Sequence, residues 1–556
     1  MAIFDVMIDS IKHIVPDQLT PDPALQQVIH LLLNVIEQQS AHIRELERKS
    51  EVLESEAKRL KTGQGNLPKN KPKVPKPREK QPEKTEARQS KNHKSGPKNE
   101  TVEIDREVKL EIPRSELPSD AVFKGFRKVV VQNVMLKRDN VCYLVYQYYS
   151  ASEKKLYTTP IPGCTGEFGA ELHALLLTLH NVCGVTQGSL EKLLDNAGVQ
   201  ISAGTINNIL QSQGEQMRSE QADILLAGLE SSPYIGMDST KSLEKGKRLS
   251  TQVMCGDFFT VYSTLEGKTR RDVLSALQGT ERDNLLFHYN ESTVRWLEHF
   301  DIRAHKKDLL EACFRGLAPF NMKTFVEKLE AVSPGLTQRP LFVRIADAFA
   351  LGHYHMQKNW PVLKLLMSDQ GGEYSCVASE GQMFCWIHDE RPYRMLCPEV
   401  AFHEQLLARF RSDYWNFYEQ LLKFKELPAA EQKQQSAYLE AEFDRIFTQK
   451  TNYDNLDRQI AKTFAKKEQL LLVLKHPFLP LHNNASELAV RQKVRKRDIS
   501  FHTMSKAGTQ TQDAFMTVVE TARKLCVSAF DYIADRVSQR YQMTPLANMV
   551  RMAYAQ

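Results

Sequence analysis

Residues 61 to 100 constrain this chain most, because they cannot fold by themselves. The stretch GNLPKNKPKVPKPREKQPEK and its flanks carry almost no large apolar side chain, and so Pro- and Lys-rich a composition buries too little surface to offset the entropy of ordering. These residues hold twelve Lys or Arg against four Glu, which leaves the rest of a chain of net charge +6 near −2. A basic linker over 61–101 follows, serving either as a soluble spacer or as a nonspecific contact to phosphates. Every packed domain lies on one side of it or the other.

On the N-terminal side, Leu25, Ile29, Leu32, Ile36, Gln39, Ile43, Leu46, Ser50, Leu53, Ala57 and Leu60 alternate in spacings of four and three. That is a heptad seam of about five repeats, with Glu and Arg on its flanks, and it predicts a self-associating coiled coil over 1–60. No run of about eighteen apolar residues and no cleavable leader pattern is present, so neither membrane insertion nor export is expected and the expected location is the cytoplasm. Nine cysteines without a CxxC pair fit a reducing compartment.

Beyond the linker, VEIDREVKLEI, KVVVQNVML and NVCYLVYQYYS predict a small β-rich module over 102–165 with a basic side. Residues 166–230 read as helical, and Val185 to Gln213 has helix-turn-helix spacing: Leu190, Leu193 and Leu194 mark one helix, Asn196 to Gly198 a turn, and Ser202 caps a second. The second helix offers Thr205, Asn207, Asn208 and Gln211 as base-edge or phosphate partners. It has no Arg, so strong direct readout is not expected of it; an ordinary helical hairpin has the same spacing.

YIGMDST is a short apolar strand that ends in Asp238, and the residues after it read as a hairpin turning at Gly256 and Asp257, then a helix from Arg270 to Leu277. A second strand in VLKLLMSDQGGEY ends in Asp369 before two glycines. A third, Met383 to Ile387, ends in the polar cluster His388, Asp389, Arg391 and Tyr393. Acids at the C-terminal ends of buried strands are where an α/β sheet places its chemistry, although most such residues are turn formers or caps. The spacing of Cys376, Cys385, His388 and Cys397 does not suit zinc. From Phe402 to Leu474 the pattern is helical, with Trp415, Phe417, Tyr418, Leu421 and Leu422 as core.

In HPFLPLHNNASELAVRQKVRKRDIS, Pro477 and Pro480 exclude a helix before Asn483 or Asn484, either of which can cap one starting near Ala485. Glu487 falls in its first turn, Arg491 and Arg495 recur on the same face, and Lys493, Lys496 and Arg497 add charge. A carboxylate backed by guanidinium groups suits a site where metal ions and phosphates meet; a solvated salt-bridged helix has the same pattern.

YIGMDST, LLMSDQGGEY, CWIHDERPYR, PLHNNASELAVRQKVRKRDISFHT and DAFMTVVETARKLCVSAFDYI, in this order, resemble the long transposase of insertion-sequence-66-type elements, a branch of the DDE transposases with a ribonuclease H-like core. The resemblance implies a multidomain α+β/α/β chain, with the coiled coil, β-rich module and helix-turn-helix followed by a mixed-sheet catalytic core over 231–399. Helices are inserted into that core at about 290–358, a helical insertion domain spans 400–475, and the core closes over 476–556.

The resemblance also implies cleavage and transfer of DNA strands, with Asp238, Asp369 and Glu487 as the catalytic triad and the ligands of two Mg²⁺ ions that Mn²⁺ can replace. Arg491, Lys493, Arg495, Lys496 and Arg497 would hold DNA, while His388, Arg391, Asn483 and Asn484 would support the triad. Asp347, in RIADAFALGHYH, competes with Asp369 but reads as helical. The implied partners are double-stranded DNA at the element ends and target, a second copy or more of the chain, and small accessory proteins of the element, at the bacterial nucleoid. A catalytically silent DNA-binding protein and a structure-specific nuclease on the same core are the alternatives.

Overall fold

The computed structural model describes residues 14–61 and 104–556, apart from 111, 114, 115, 119, 120, 124, 126, 127, 135, 160–163 and 166. The linker expected over 61–101 lies outside the described residues from position 62 onward. The described chain forms two compact units, one made of the residues up to His42 with Val141–Gln556 and the other of Ile43–Asn140.

The heptad pattern forms one helix, α1 (Pro23–Lys61), whose first half belongs to the larger unit and whose second half belongs to the smaller. Leu25, Val28, Leu31, Leu32 and Val35 of the first half are exposed, whereas Leu33, Asn34, Glu37 and Ser40 are buried. Burial of these last four has a specific cause. The helix α12 (Ala401–Glu426) begins at Val400 and the helix α14 (Asp454–Phe464) at Tyr453, and neither start has a side-chain cap of its own. The Glu37 carboxylate accepts from the Glu399 and Val400 N–H groups (2.9 and 3.0 Å), and Asn34 Oδ1 accepts from the Asp454 N–H (2.9 Å). The long helix therefore caps two other helices from outside, satisfying N–H groups that would otherwise be unpaired.

In the smaller unit the structure departs from the sequence reading. No strand forms among the described residues of 104–146; of the three expected strands only the last pairs, as the hairpin β1 (Gln147–Ser150) with β2 (Lys155–Thr158), which lies in the larger unit. Val108, Leu110, Val131 and Val134 are exposed. An apolar alternation yields a strand only where a neighbour takes up its hydrogen bonds, and among the described residues these runs pair with none.

After the β1–β2 hairpin the larger unit continues with α2 (Ala170–Asn181), α3 (Gln187–Asn196), α4 (Ala203–Ser212) and α5 (Gly214–Ser231). Its centre is a five-stranded sheet. The strands β3 (Ile235–Glu244), β4 (Lys247–Cys255) and β5 (Thr260–Leu265) form an antiparallel meander; β6 (Leu365–Ser368) and β7 (Gly381–Phe384) add in parallel to β3, giving the order β5-β4-β3-β6-β7. The β3–β4 turn places Lys245 and Gly246 at positive φ (45° and 82°), as a tight two-residue hairpin requires.

Between β5 and β6 come α6 (Arg270–Leu277) and, in the stretch 291–356, α7 (Glu291–His299), α8 (Ala304–Phe314), α9 (Met322–Val332) and α10 (Pro340–Met356). Successive residues of β6 serve two cores: Leu366 packs with the α2–α10 helices, Leu365 and Met367 with the 400–475 helices. Burial on both faces is why this strand reads as an unbroken apolar run.

The third strand ends earlier than expected. Trp386 turns the chain into α11 (Trp386–Arg394), its N–H taken by Leu481 O and its indole N–H by Leu470 O. The insertion α12, α13 (Ala429–Phe447) and α14 buries Phe417, Tyr418 and Leu421 around that tryptophan. The chain returns through α15 (Asn484–Ser500) and α16 (Lys506–Lys524), then α17 (Ala529–Val537) and α18 (Leu546–Ala555).

Candidate active site

Side chains alternate faces along β3. Ile235 and Met237 enter the main core, so Gly236 and Asp238 point the other way. That face receives α15. A Cβ at Gly236 would lie 2.6 Å from Ser486 Oγ and 3.1 Å from Asn483 Oδ1, so the missing side chain lets the start of α15 rest on the strand. Asn483 is not the side-chain cap that the sequence suggested: its amide donates to Met237 O (2.9 Å), tying helix to strand. Asn484 begins the helix and is exposed. With Ser486 over Gly236, the next residue, Glu487, comes to the Asp238 side of the strand.

The registered pairs between β3 and β6 end at Met237–Ser368, so Asp238 follows by one residue within β3 and Asp369 by one residue just past the end of β6, where the two chains still run side by side. Burial, reinforced by the negative charges of Asp369 and Glu487, pushes the Asp238 carboxyl up to about 6, against the opposing effects of the Ser239 N–H (2.7 Å) and Lys268. Asp238 thus lies in the field of the other two acids.

The segment after Asp369 is fixed from two sides. Gln370 donates to the buried Asp389 (2.9 Å) and accepts from Lys466 (2.8 Å), which also pairs with Asp389 (2.7 Å). An acid at 370 would face Asp389, so the amide is the residue type this network takes. On the other side, Arg270 donates to Gly372 O, Ser375 O and Ser375 Oγ and is paired with Asp347 (2.7 Å), with Arg271 on the same carboxylate (3.2 Å). Asp347 is a buried helical residue that braces the loop; it is not an acid of the group.

Glu487 is mostly covered. Its Oε1 lies 3.3 Å from Arg391 Nη2 and 3.6 Å from His388 Nδ1, and its Oε2 lies 3.9 Å from Arg491. Burial, then Arg391, holds the His388 imidazole below its ordinary pKa, so at neutral pH it is a neutral neighbour and not an ion-pair partner. The basic residues of α15 divide. Arg491 and Arg495 are exposed, while Arg497 donates to Lys241 O (2.6 Å). Lys493 and Lys496 correct the expectation of a wholly DNA-facing cluster: Lys493 is buried against Asp513 (2.6 Å), and Lys496 donates to His180 O (2.7 Å). Burial, then Lys493, pushes Lys496 down to about 8. The 3.6-residue period carries these two lysines onto the face that meets α16 and α2.

The residues expected to contact DNA from the second helix of the hairpin, Thr205, Asn207, Asn208 and Gln211, lie on α4. Thr186 and Ser202 cap α3 and α4, and Gly198 (φ 78°) makes the turn. Asn207, Asn208 and Gln211 are exposed, with Asn207 accepting from Gln187 (3.1 Å); Thr205 is half-buried against Ser202.

Sequence pattern missed Lys268, Glu373 and Lys466, which carry no local signal. A glycine inside a strand pattern, Gly236, was a signal that could have been used.

Among the described residues no three or more His, Cys, Asp or Glu side chains are gathered closely enough to hold a metal ion as they stand. The donors themselves suit an oxygen-preferring dication, all three being carboxylates, and the charge that burdens Asp238 is what a cation would relieve.

The fold and site define a mixed α/β chain with an acidic, arginine-flanked centre spread over two strands and a helix. The transposase IS66 family matches residues 355–511. An uncharacterized protein, y4jO, of Sinorhizobium fredii (strain NBRC 101917 / NGR234) is 30% identical over 335 residues, which cover 59% of this chain and 99% of that protein. No solved structure matches. The chain belongs to the IS66 transposase family, and with it come a transposase-type function and DNA as partner. No helix among the described residues is long and apolar enough to cross a membrane.

Proposed function

We propose that the chain binds the ends of an insertion element and cleaves and joins DNA strands at Asp238, Asp369 and Glu487. The observation that supports this most is the placement of Asp238 and Asp369 at equivalent steps of parallel strands, with Glu487 brought to the same face by α15. The strand order, a three-stranded meander continued by two parallel strands, is also the one a ribonuclease H-like core would use.

The three carboxylates would hold divalent ions, Mg²⁺ or in its place Mn²⁺, which when bound supply a deprotonated water or 3′-hydroxyl and offset charge on the leaving oxygen. Arg391 orients Glu487 from one side and Arg491 from the other, and both remain exposed enough to meet phosphates. The buried Asp389–Gln370–Lys466 network and the Asp347–Arg270 pair fix the loop that carries Asp369, so little reorganisation is needed when substrate arrives. Asn207, Asn208 and Gln211 present amides to DNA from α4, and self-association through the exposed face of α1 would bring two ends together.

The test uses full-length protein, Mg²⁺ and duplexes carrying the element's terminal sequences. Replacing Asp238, Asp369 or Glu487 with its amide should lower strand cleavage by orders of magnitude, non-additively, with end binding retained. Full cleavage by the Glu487 amide would refute the assignment. Binding without cleavage by the wild type would point to a silent DNA-binding protein, and cleavage indifferent to the terminal sequence to a nuclease.

A further inference from the structure

Lys268 lies between β5 and α6, just before the Thr269 cap of α6. Its ammonium stands 2.9 Å from Glu373 Oε1, and Glu373 belongs to the turn that follows Asp369. The lysine side chain is 55% exposed and the glutamate 11%, so the cation lies on the solvent side of the acid. Arg270 already fixes the turn through Gly372 and Ser375, and the sequence places Lys268 just two residues away from it. Holding the loop does not account for a second cation here.

Partial burial works against the ammonium, yet Glu373, Asp369 and Asp238 together hold its pKa above the ordinary lysine value. Lys268 therefore sits in the field of the acidic group while remaining open to solvent. We infer that Lys268 binds a phosphate of the DNA strand lying at Asp238 and Asp369, and that Glu373 takes the place of that phosphate when DNA is absent. The inference rests on the function proposed above and deepens it by naming a phosphate contact.

A phosphodiester brought to three carboxylates is repelled unless a cation stands beside them, and a lysine is a mobile point charge suited to that position. The ammonium is the solvent-exposed member of the pair, so it can turn from the Glu373 carboxylate to a phosphate oxygen without further desolvation, and the more buried Glu373 sets the cost of the exchange. No bond is made or broken in this step.

Full-length protein and a fluorescent duplex with the element's terminal sequence, in chelator so that no strand is cut, give the affinity across a salt series. In K268M the slope of log affinity against log salt should fall by about 0.9, the value of one phosphate contact, and K268R should restore it. E373Q should bind roughly threefold more tightly at low salt, the size of a weak surface pair released. With Mg²⁺ added, K268M should cleave about tenfold more slowly, the loss expected for one phosphate contact. An unchanged slope in K268M and in K268A, each with a wild-type melting temperature, overturns the inference. If the Asp238 amide still cleaves, the reading of the acids fails instead, and the salt slope in chelator judges Lys268 independently.

Discussion

Asp238 and Asp369 each lie one residue beyond the registered pair Met237–Ser368, on strands that run in parallel through the middle of the sheet. Their separation in sequence is bridged by the α6–α10 helices, which return the chain beside β3. Parallel register puts both side chains on one face, and the start of α15 closes over it. Burial, and after it the charges of Asp369 and Glu487, penalises the ionised form of Asp238, and the consequences can be measured.

The first concerns pH. Asp238 has a folded pKa of about 6 against an ordinary 3.8, so the folded state favours its protonated form. Its contribution to stability is present in full below about pH 4 and is lost as pH rises through 6. In chelator, Asp238→Asn should therefore be more stable than wild type at pH 7.5, by on the order of 2 kcal/mol, and equal to it near pH 4. Adding Mg²⁺ at pH 7.5 should raise the wild-type melting temperature and leave the variant unmoved. A stability difference that does not change with pH would show that Asp238 is not so burdened.

Gly236→Ala tests how α15 is seated. The new Cβ would meet Ser486 Oγ at 2.6 Å, and a serine oxygen has little room to retreat. A loss of about 1–3 kcal/mol is expected, as for overpacking elsewhere, with a larger proportional loss of cleavage because Glu487 is displaced. Adding Ser486→Ala should recover part of both. Denaturant midpoints alongside cleavage rates decide it; a single variant with wild-type values for both would mean that the helix is not set by this contact.

Asp347 carries a prediction opposite to the one its sequence invites. As a helical residue outside the acidic group it should matter little, but it is buried and pairs with both Arg270 and Arg271. Burial raises its pKa, and the two arginines work against that rise. Removing its charge leaves two guanidinium groups uncompensated, so Asp347→Asn should cost on the order of 3 kcal/mol and slow cleavage through the loop that Arg270 braces. An unfolding midpoint equal to wild type would contradict this.

The fourth prediction concerns α1. Because Glu37 and Asn34 cap α12 and α14, Glu37→Ala should destabilise the 400–475 helices by about 1–2 kcal/mol, visible as reduced hydrogen-exchange protection at Glu399 and Val400. Deleting residues 1–60 should lower the oligomeric state seen by light scattering and also loosen these helices, whereas a pure self-association segment would leave them untouched. Unaltered exchange after the deletion would show that the caps are dispensable.

Local pattern was enough wherever one segment's own chemistry decides its structure. The heptads gave one helix, Pro23–Lys61; the turn at Gly198 and the Ser202 cap bound α3 and α4; the apolar runs before Asp238 and Asp369 became strands; and the prolines before Asn483 delayed α15 until Asn484. In each case capping, periodicity or a missing N–H acts within a few residues. The rest depended on partners distant in sequence. Whether Lys493 and Lys496 face DNA or the protein interior depends on where α16 and α2 lie, and whether Asn483 caps its helix or ties it to β3 depends on the approach that Gly236 permits. Among the described residues, the runs within 104–146 have strand composition but no strand beside them, and Glu37 reads as a coiled-coil flank until the start of α12 arrives. The sequence alone determined which residues can be helix, strand or acid; only the tertiary structure decided which of them meet, because hydrogen-bond partners and burial are supplied by segments hundreds of positions away.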